Sequence, residues 1–127
     1  MHNKNKLRIM MKKIALVVSV ASALTFSAGA FAAGNIDAGK VAATKFNCAS
    51  CHGVNYNEPI DPSYPKLAGQ HKDYLVQALK SYQRGAVGLA GRSNAIMEAQ
   101  AKALSNADIA NIAAYLNSLP GGLVLKK

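Results

Sequence analysis

Cys48-Ala49-Ser50-Cys51-His52 is the stretch on which the fold turns. Two cysteines with two residues between them, followed at once by a histidine, form the pattern of a c-type haem attachment site. The two thiols add across the two vinyl groups of a haem, so they must sit about one helical turn apart. The histidine is then held under the porphyrin plane, where its imidazole can bind the iron. Ala49 and Ser50 are small and let the backbone lie close against a ring.

Two other chemistries share the Cys-x-x-Cys element. A dithiol redox motif belongs in a βαβ setting, and no strand pattern flanks these residues. A structural zinc site needs four ligands. With two cysteines and three histidines in the chain, the set would have to be Cys48, Cys51, His52 and His71. His52 beside Cys51 is poor spacing for such a site.

The chain has 127 residues and one domain is expected. Its first segment reads as an export signal. Lys4, Lys6, Arg8, Lys12 and Lys13 form a basic region without acids, residues 14–26 are apolar or small, and Ala28 to Ala32 offers small-x-small cleavage positions. Cleavage after Ala32 is expected, which divides the chain into a secretory signal, 1–32, and a functional domain, 33–127, with no membrane insertion after processing. The apolar run is short for a spanning helix and lacks a basic stop-transfer flank. Five basic residues leave with the signal, so ten basic against six acidic residues remain, a net charge of +4 instead of +9. The remaining cations are scattered, apart from Lys126-Lys127, which argues against nucleic-acid binding. About 95 residues make a small core, and a large apolar plate such as a haem would staple it.

Along the processed chain, Asp37 is read as the cap of a helix over 38–46 whose slim face carries Gly39, Ala42 and Ala43. The segment 53–65 is rich in Asn, Pro and Asp and reads as a loop. A second helix runs from 70 or 72 to Arg84, closed by Gly85. Its apolar stripe is Tyr74, Leu75, Ala78, Leu79 and Tyr82, with the tyrosines read as ordinary core. A glycine-punctuated link, 85–93, leads to a loose helix over 94–103. Ser105 and Asp108 resemble a capping box opening a last helix over 106–118, with Ile109, Ile112, Ala113 and Leu116 on one face. Pro120 and the glycines end it, and the tail 123–127 is expected to fray.

An iron held by His52 needs a second axial partner. Met97, 45 residues downstream, is the single methionine outside the signal. Its thioether would favour reduced iron. Met97, Ala101 and Leu104 also share a helical face, so a plain core role is the competing account. His71, 19 residues after His52, is the other donor of the usual type, and an open sixth site is the third option.

Beyond the attachment site, the ordered segments Tyr64-Pro-Lys-Leu-Ala-Gly-Gln70, Ala95-Ile-Met97, Leu104-Ser-Asn-Ala-Asp-Ile109 and Ala113-Ala-Tyr115-Leu116 make the chain resemble a class I cytochrome c over most of residues 35–120. The resemblance is to small single-haem bacterial periplasmic members and to one half of the two-haem tandem cytochromes. It implies an all-α fold, helices packed around one covalently attached haem c, with the first and last helices crossing at Gly39 and Tyr115. It implies Met97 as distal ligand, and Pro65 as the backbone carbonyl that accepts from the second imidazole nitrogen of His52. Many relatives carry an aromatic residue four before the first cysteine, where this chain has Thr44; Phe46 stands two before it instead.

The expected role is a soluble, monomeric periplasmic electron carrier, not an enzyme, with the iron cycling between ferrous and ferric states. Its expected partners are redox proteins, a quinol-oxidising complex upstream and a terminal oxidase, peroxidase or reductase downstream, met by transient electrostatic docking. The alternatives are a haem subunit of a larger membrane enzyme, or a haem enzyme or gas sensor with an open or labile sixth site.

Overall fold

The structure, a computed structural model, describes residues 34–122; the expected signal segment and the C-terminal tail lie outside the described residues. Five helices follow one another: α1 (Ile36–Lys45), α2 (Ala49–His52), α3 (Lys72–Arg84), α4 (Ala95–Lys102) and α5 (Asn106–Ser118). Among the described residues there is no strand, as an all-α class requires and as a βαβ dithiol fold does not.

The first and last helices form the frame. Gly39 is buried where α1 crosses α5, and a Cβ at that position would lie 2.0 Å from the Asn111 carbonyl oxygen and 2.7 Å from Tyr115 Cβ. Only a residue without a side chain lets two backbones approach so closely. Ala42 and Ala43 continue the slim face and pack with Ile109, Ile112, Ala113 and Leu116 of α5 in the core. The crossing expected at Gly39 and Tyr115 is therefore present.

One cap differs from expectation. Asn35, not Asp37, caps α1: its Oδ1 accepts from the Ala38 N–H at 2.8 Å, and the helix starts at Ile36. Asp37 falls in the first turn, where its charge complements the helix dipole. The choice is tertiary, because the Asn35 N–H donates to Asn111 Oδ1 at 2.8 Å and pins this end of α1 to α5.

α3 and α5 have the expected limits. Ser105 and Asp108 form a full capping box: Asp108 N–H donates to Ser105 Oγ at 3.1 Å, and Ser105 N–H to Asp108 Oδ2 at 2.9 Å. The Ser105 hydroxyl also donates to Asp108 Oδ2 at 2.6 Å, and this bond, with that from the Ser105 N–H, holds the Asp108 carboxyl below its ordinary range. α4 is a regular helix capped by Asn94, whose Oδ1 accepts from the Met97 N–H at 2.9 Å. Gln83 Nε2 donates to the carbonyls of Ala101 and Leu104, each at 2.9 Å, and so locks the end of α4 to α3.

The stretch 53–65 is irregular, as its composition predicts, but it carries a core residue. Tyr56 adopts φ 58° and is buried, its ring edge-on to Tyr115 at 5.9 Å. Its carbonyl accepts from the N–H groups of Leu67 and Ala68 and draws the loop closed. Burial pushes the Tyr56 hydroxyl up to about 12.

Candidate haem site

α2 is a single turn, and its sequence role is to present three side chains. Asn47, at φ 53°, breaks the chain away from α1, and its carbonyl accepts from Ser50 Oγ at 2.7 Å. Cys48, Cys51 and His52 then face one cleft of about 240 Å³. The two cysteines are not bridged to each other. Burial against this apolar wall pushes the Cys48 thiol above its ordinary value.

His52 is buried at 6% exposure, and its Nδ1 lies 2.9 Å from the Pro65 carbonyl oxygen. A carbonyl can only accept, so Nδ1 carries the proton and Nε2 keeps its lone pair. The Tyr64 ring stands beside the imidazole, 6.3 Å between centroids and tilted by 49°. Gly53 makes the sharp exit from α2 at φ 85°, where a Cβ would strike the Glu58 carbonyl at 2.0 Å.

α3 and α4 supply further walls of the cleft. Leu75, Ala78 and Leu79 line it from α3, Ile96, Met97 and Gln100 from α4, and Leu104, Ile112 and Leu116 floor it. Phe46, two residues before Cys48, also lines the cleft, while Thr44 is exposed with its hydroxyl bonded to the Lys40 carbonyl. Tyr74 and Tyr82 correct the sequence expectation: they are cleft wall, not core, with Tyr74 50% exposed. His71 is exposed at the N-cap of α3 and does not line the cleft. Among the described residues no three His, Cys, Asp or Glu side chains converge on a metal-sized site, so the four candidate zinc ligands are not assembled.

Sequence reasoning placed Cys48, Cys51, His52, Pro65 and Met97 at a site, and all five line this one cleft. It missed Arg92 and Gln100, which also line it. Arg92 sits in the glycine-punctuated link between α3 and α4, where no helical periodicity marks which residues turn toward the cleft.

The residues present fit a haem: paired thiols, an imidazole with a free Nε2, a thioether and a broad apolar cleft. Comparison with known proteins agrees. The cytochrome c family profile matches residues 36–120, and the chain belongs to the cytochrome c family. It carries one haem c, covalently bound through Cys48 and Cys51. Among similar proteins, cytochrome c4 of Stutzerimonas stutzeri is 38% identical over 117 residues, which cover 89% of this chain and 53% of that protein. Cytochrome c-554(548) of Halomonas halodenitrificans is 41% identical over 71 residues, covering 56% of this chain and 82% of that protein. The crystal structure of reduced recombinant cytochrome c4 from Pseudomonas stutzeri superposes with a TM-score of 0.62 at 36% identity, covering 72% of this chain and 48% of that one. This chain thus spans about half the length of the cytochrome c4 proteins, in keeping with its resemblance to one half of a tandem cytochrome.

Proposed function

We propose that this chain is an exported periplasmic electron carrier whose single haem c is ligated by His52 and Met97. The observation that carries the proposal is the shared cleft: His52, with Nδ1 committed to Pro65, and Met97 of α4 both line it. When bound, the haem supplies a one-electron Fe(II)/Fe(III) couple. The Pro65 carbonyl fixes the imidazole plane and raises the donor strength of Nε2. The Met97 thioether is a weak neutral donor, and a Met/His pair raises the potential. The leucine and isoleucine floor keeps water from the centre. With both axial positions held by side chains, no position is left for a substrate, which favours a carrier over an enzyme. Processing after Ala32 would release a monomeric domain that no helix among the described residues anchors in a membrane. Its partners would be redox proteins, a quinol-oxidising complex upstream and an oxidase, peroxidase or reductase downstream, reached by weak electrostatic docking.

The test is the visible spectrum of the purified holoprotein, oxidised and then reduced. A sharp low-spin reduced spectrum is expected, with a weak far-red ferric band that disappears in Met97→Ala. A low-spin spectrum lacking that band would move the distal bond to His71 and predict a lower potential. A high-spin spectrum would mean an open site and would overturn the carrier in favour of a gas-binding or catalytic haem.

A further inference from the structure

We propose that Asn94 is the positioning residue of the distal bond: by tying down the first turn of α4 it keeps Met97 in place, and so sets how readily an outside ligand can displace the methionine. The proposal rests on the His52/Met97 reading above and deepens it.

Three observations carry it. Met97 is the third residue of α4, and the N–H groups of a first turn have no partner within their own helix. Asn94 supplies one, its Oδ1 accepting from the Met97 N–H at 2.9 Å. The Asn94 carbonyl accepts from the Glu98 N–H at 2.8 Å. The two peptide N–H groups on either side of the Met97 α carbon therefore both end on Asn94. Secondly, the bracing is reciprocal. The Asn94 N–H donates to Glu98 Oε1 at 3.2 Å, and the same carboxylate lies against Gly85 at the end of α3, where a Cβ would stand 3.1 Å from Oε2. Thirdly, the two ends of α4 are held differently. Gln83 of α3 fixes the far end through the Ala101 and Leu104 carbonyls. The residues before Asn94 form the irregular, glycine-punctuated link. The first turn is thus the end of α4 that opens more readily, and Met97 sits in it.

The two axial side chains differ in what steadies them. His52 is buried, with its Nδ1 held by the Pro65 carbonyl. Methionine is flexible and its thioether has no hydrogen to donate, so no comparable bond to a carbonyl can orient Met97. Its placement depends on the backbone that carries it. An outside ligand binds only while the methionine is away, so its apparent affinity follows the open fraction. Loss of an N-cap shifts the equilibrium of a helix start by about fivefold, and the open fraction should rise by the same factor.

The experiment is titration of the ferric holoprotein with imidazole, followed by the visible spectrum, for the unaltered chain and for Asn94→Ala, Asn94→Ser and Ser105→Ala. Asn94→Ala is expected to bind imidazole about fivefold more tightly. Asn94→Ser restores a capping oxygen and should lie within about twofold of the parent. Serine is nearly as small as alanine, so it also controls for room made in the cleft. Ser105→Ala removes the cap of α5, which carries no axial ligand; it should destabilise the fold comparably yet leave imidazole binding within about twofold. A rise below about twofold in Asn94→Ala, an equal rise in Ser105→Ala, or an Asn94→Ser protein as loose as Asn94→Ala would overturn the positioning role and leave His52/Met97 ligation standing. Should Asn94→Ala fail to hold haem, amide hydrogen exchange in the unaltered holoprotein decides. Imidazole is expected to speed exchange of the Met97 N–H about fivefold and to leave that of the Asp108 N–H, held by Ser105, unchanged, because coupling between two equilibria is reciprocal. A Met97 rate indifferent to imidazole overturns the proposal. An unaltered chain without the far-red ferric band would overturn His52/Met97 ligation itself, and the positioning with it.

Discussion

Gly39→Ala should be a costly single-methyl addition at the crossing of α1 and α5. The new Cβ would stand 2.0 Å from the Asn111 carbonyl oxygen, 2.6 Å from its carbon and 2.7 Å from Tyr115 Cβ, where ordinary contacts begin at 3.4 Å. The obstruction is α5 backbone, which cannot turn aside as a flexible side chain could. The helices must part by about an ångström, and a gap of that size forfeits roughly a quarter to a half of each dispersion contact along it. Those contacts belong to Ala42, Ala43, Ile109, Ile112 and Ala113, all buried. Overpacking typically costs about 1–3 kcal/mol, and a backbone obstacle belongs at or above the upper end. Alanine recovers about 1 kcal/mol of helix propensity. The net loss is then about 2 kcal/mol, or a fall in Tm of about 10 °C for a domain of this size. Thermal unfolding of the holoprotein followed by helical ellipticity measures it, with Val41→Ala on the exposed side of the same helix as the control, expected within about 0.5 kcal/mol. A Gly39→Ala protein as stable as its parent would refute the close crossing of α1 and α5.

Tyr56 gives a pH dependence. Its folded hydroxyl titrates near 12 because burial disfavours the phenolate, against an ordinary 10.0. A raised folded pKa means its contribution, up to roughly 2 kcal/mol, is complete below pH 10 and lost as pH rises toward 12; alkaline unfolding of Tyr56→Phe should lack that component. Ser105→Ala removes the reciprocal cap of α5 and should cost about 1 kcal/mol in denaturant unfolding. Electron transfer with an acidic redox partner should slow as ionic strength rises, read by stopped-flow; a rate indifferent to salt would count against electrostatic docking.

How far the chain could be read without its fold varies by residue. The attachment pattern was legible because its chemistry is local: thiol, thiol and imidazole must follow one another within a single turn. The limits of α5 were legible for a similar reason, since Ser105 and Asp108 satisfy each other three residues apart. The start of α1 was not. Asn35 and Asp37 are both good caps, and what separates them is Asn111, 76 positions away. Tyr74 and Tyr82 were placed on the correct face of α3, but periodicity cannot distinguish a face that meets other side chains from one that lines a cleft. Tyr56 was hidden by its neighbours, because a segment of turn formers gives no sign that one ring in it is driven into the core.

The sequence by itself determined the covalent chemistry at Cys48, Cys51 and His52, and the helices whose signals lie within a turn or two of their ends. Tertiary structure alone decided what those elements face. The Pro65 carbonyl comes to 2.9 Å from His52 Nδ1, and Met97 comes to the same cleft from α4. Arg92 is set against rings 18 and 10 positions before it. Caps and thioether bonds are short-range and are written in adjacent residues; a cleft is a property of surfaces brought together by burial, and burial depends on the whole arrangement of α1, α3, α4 and α5 at once.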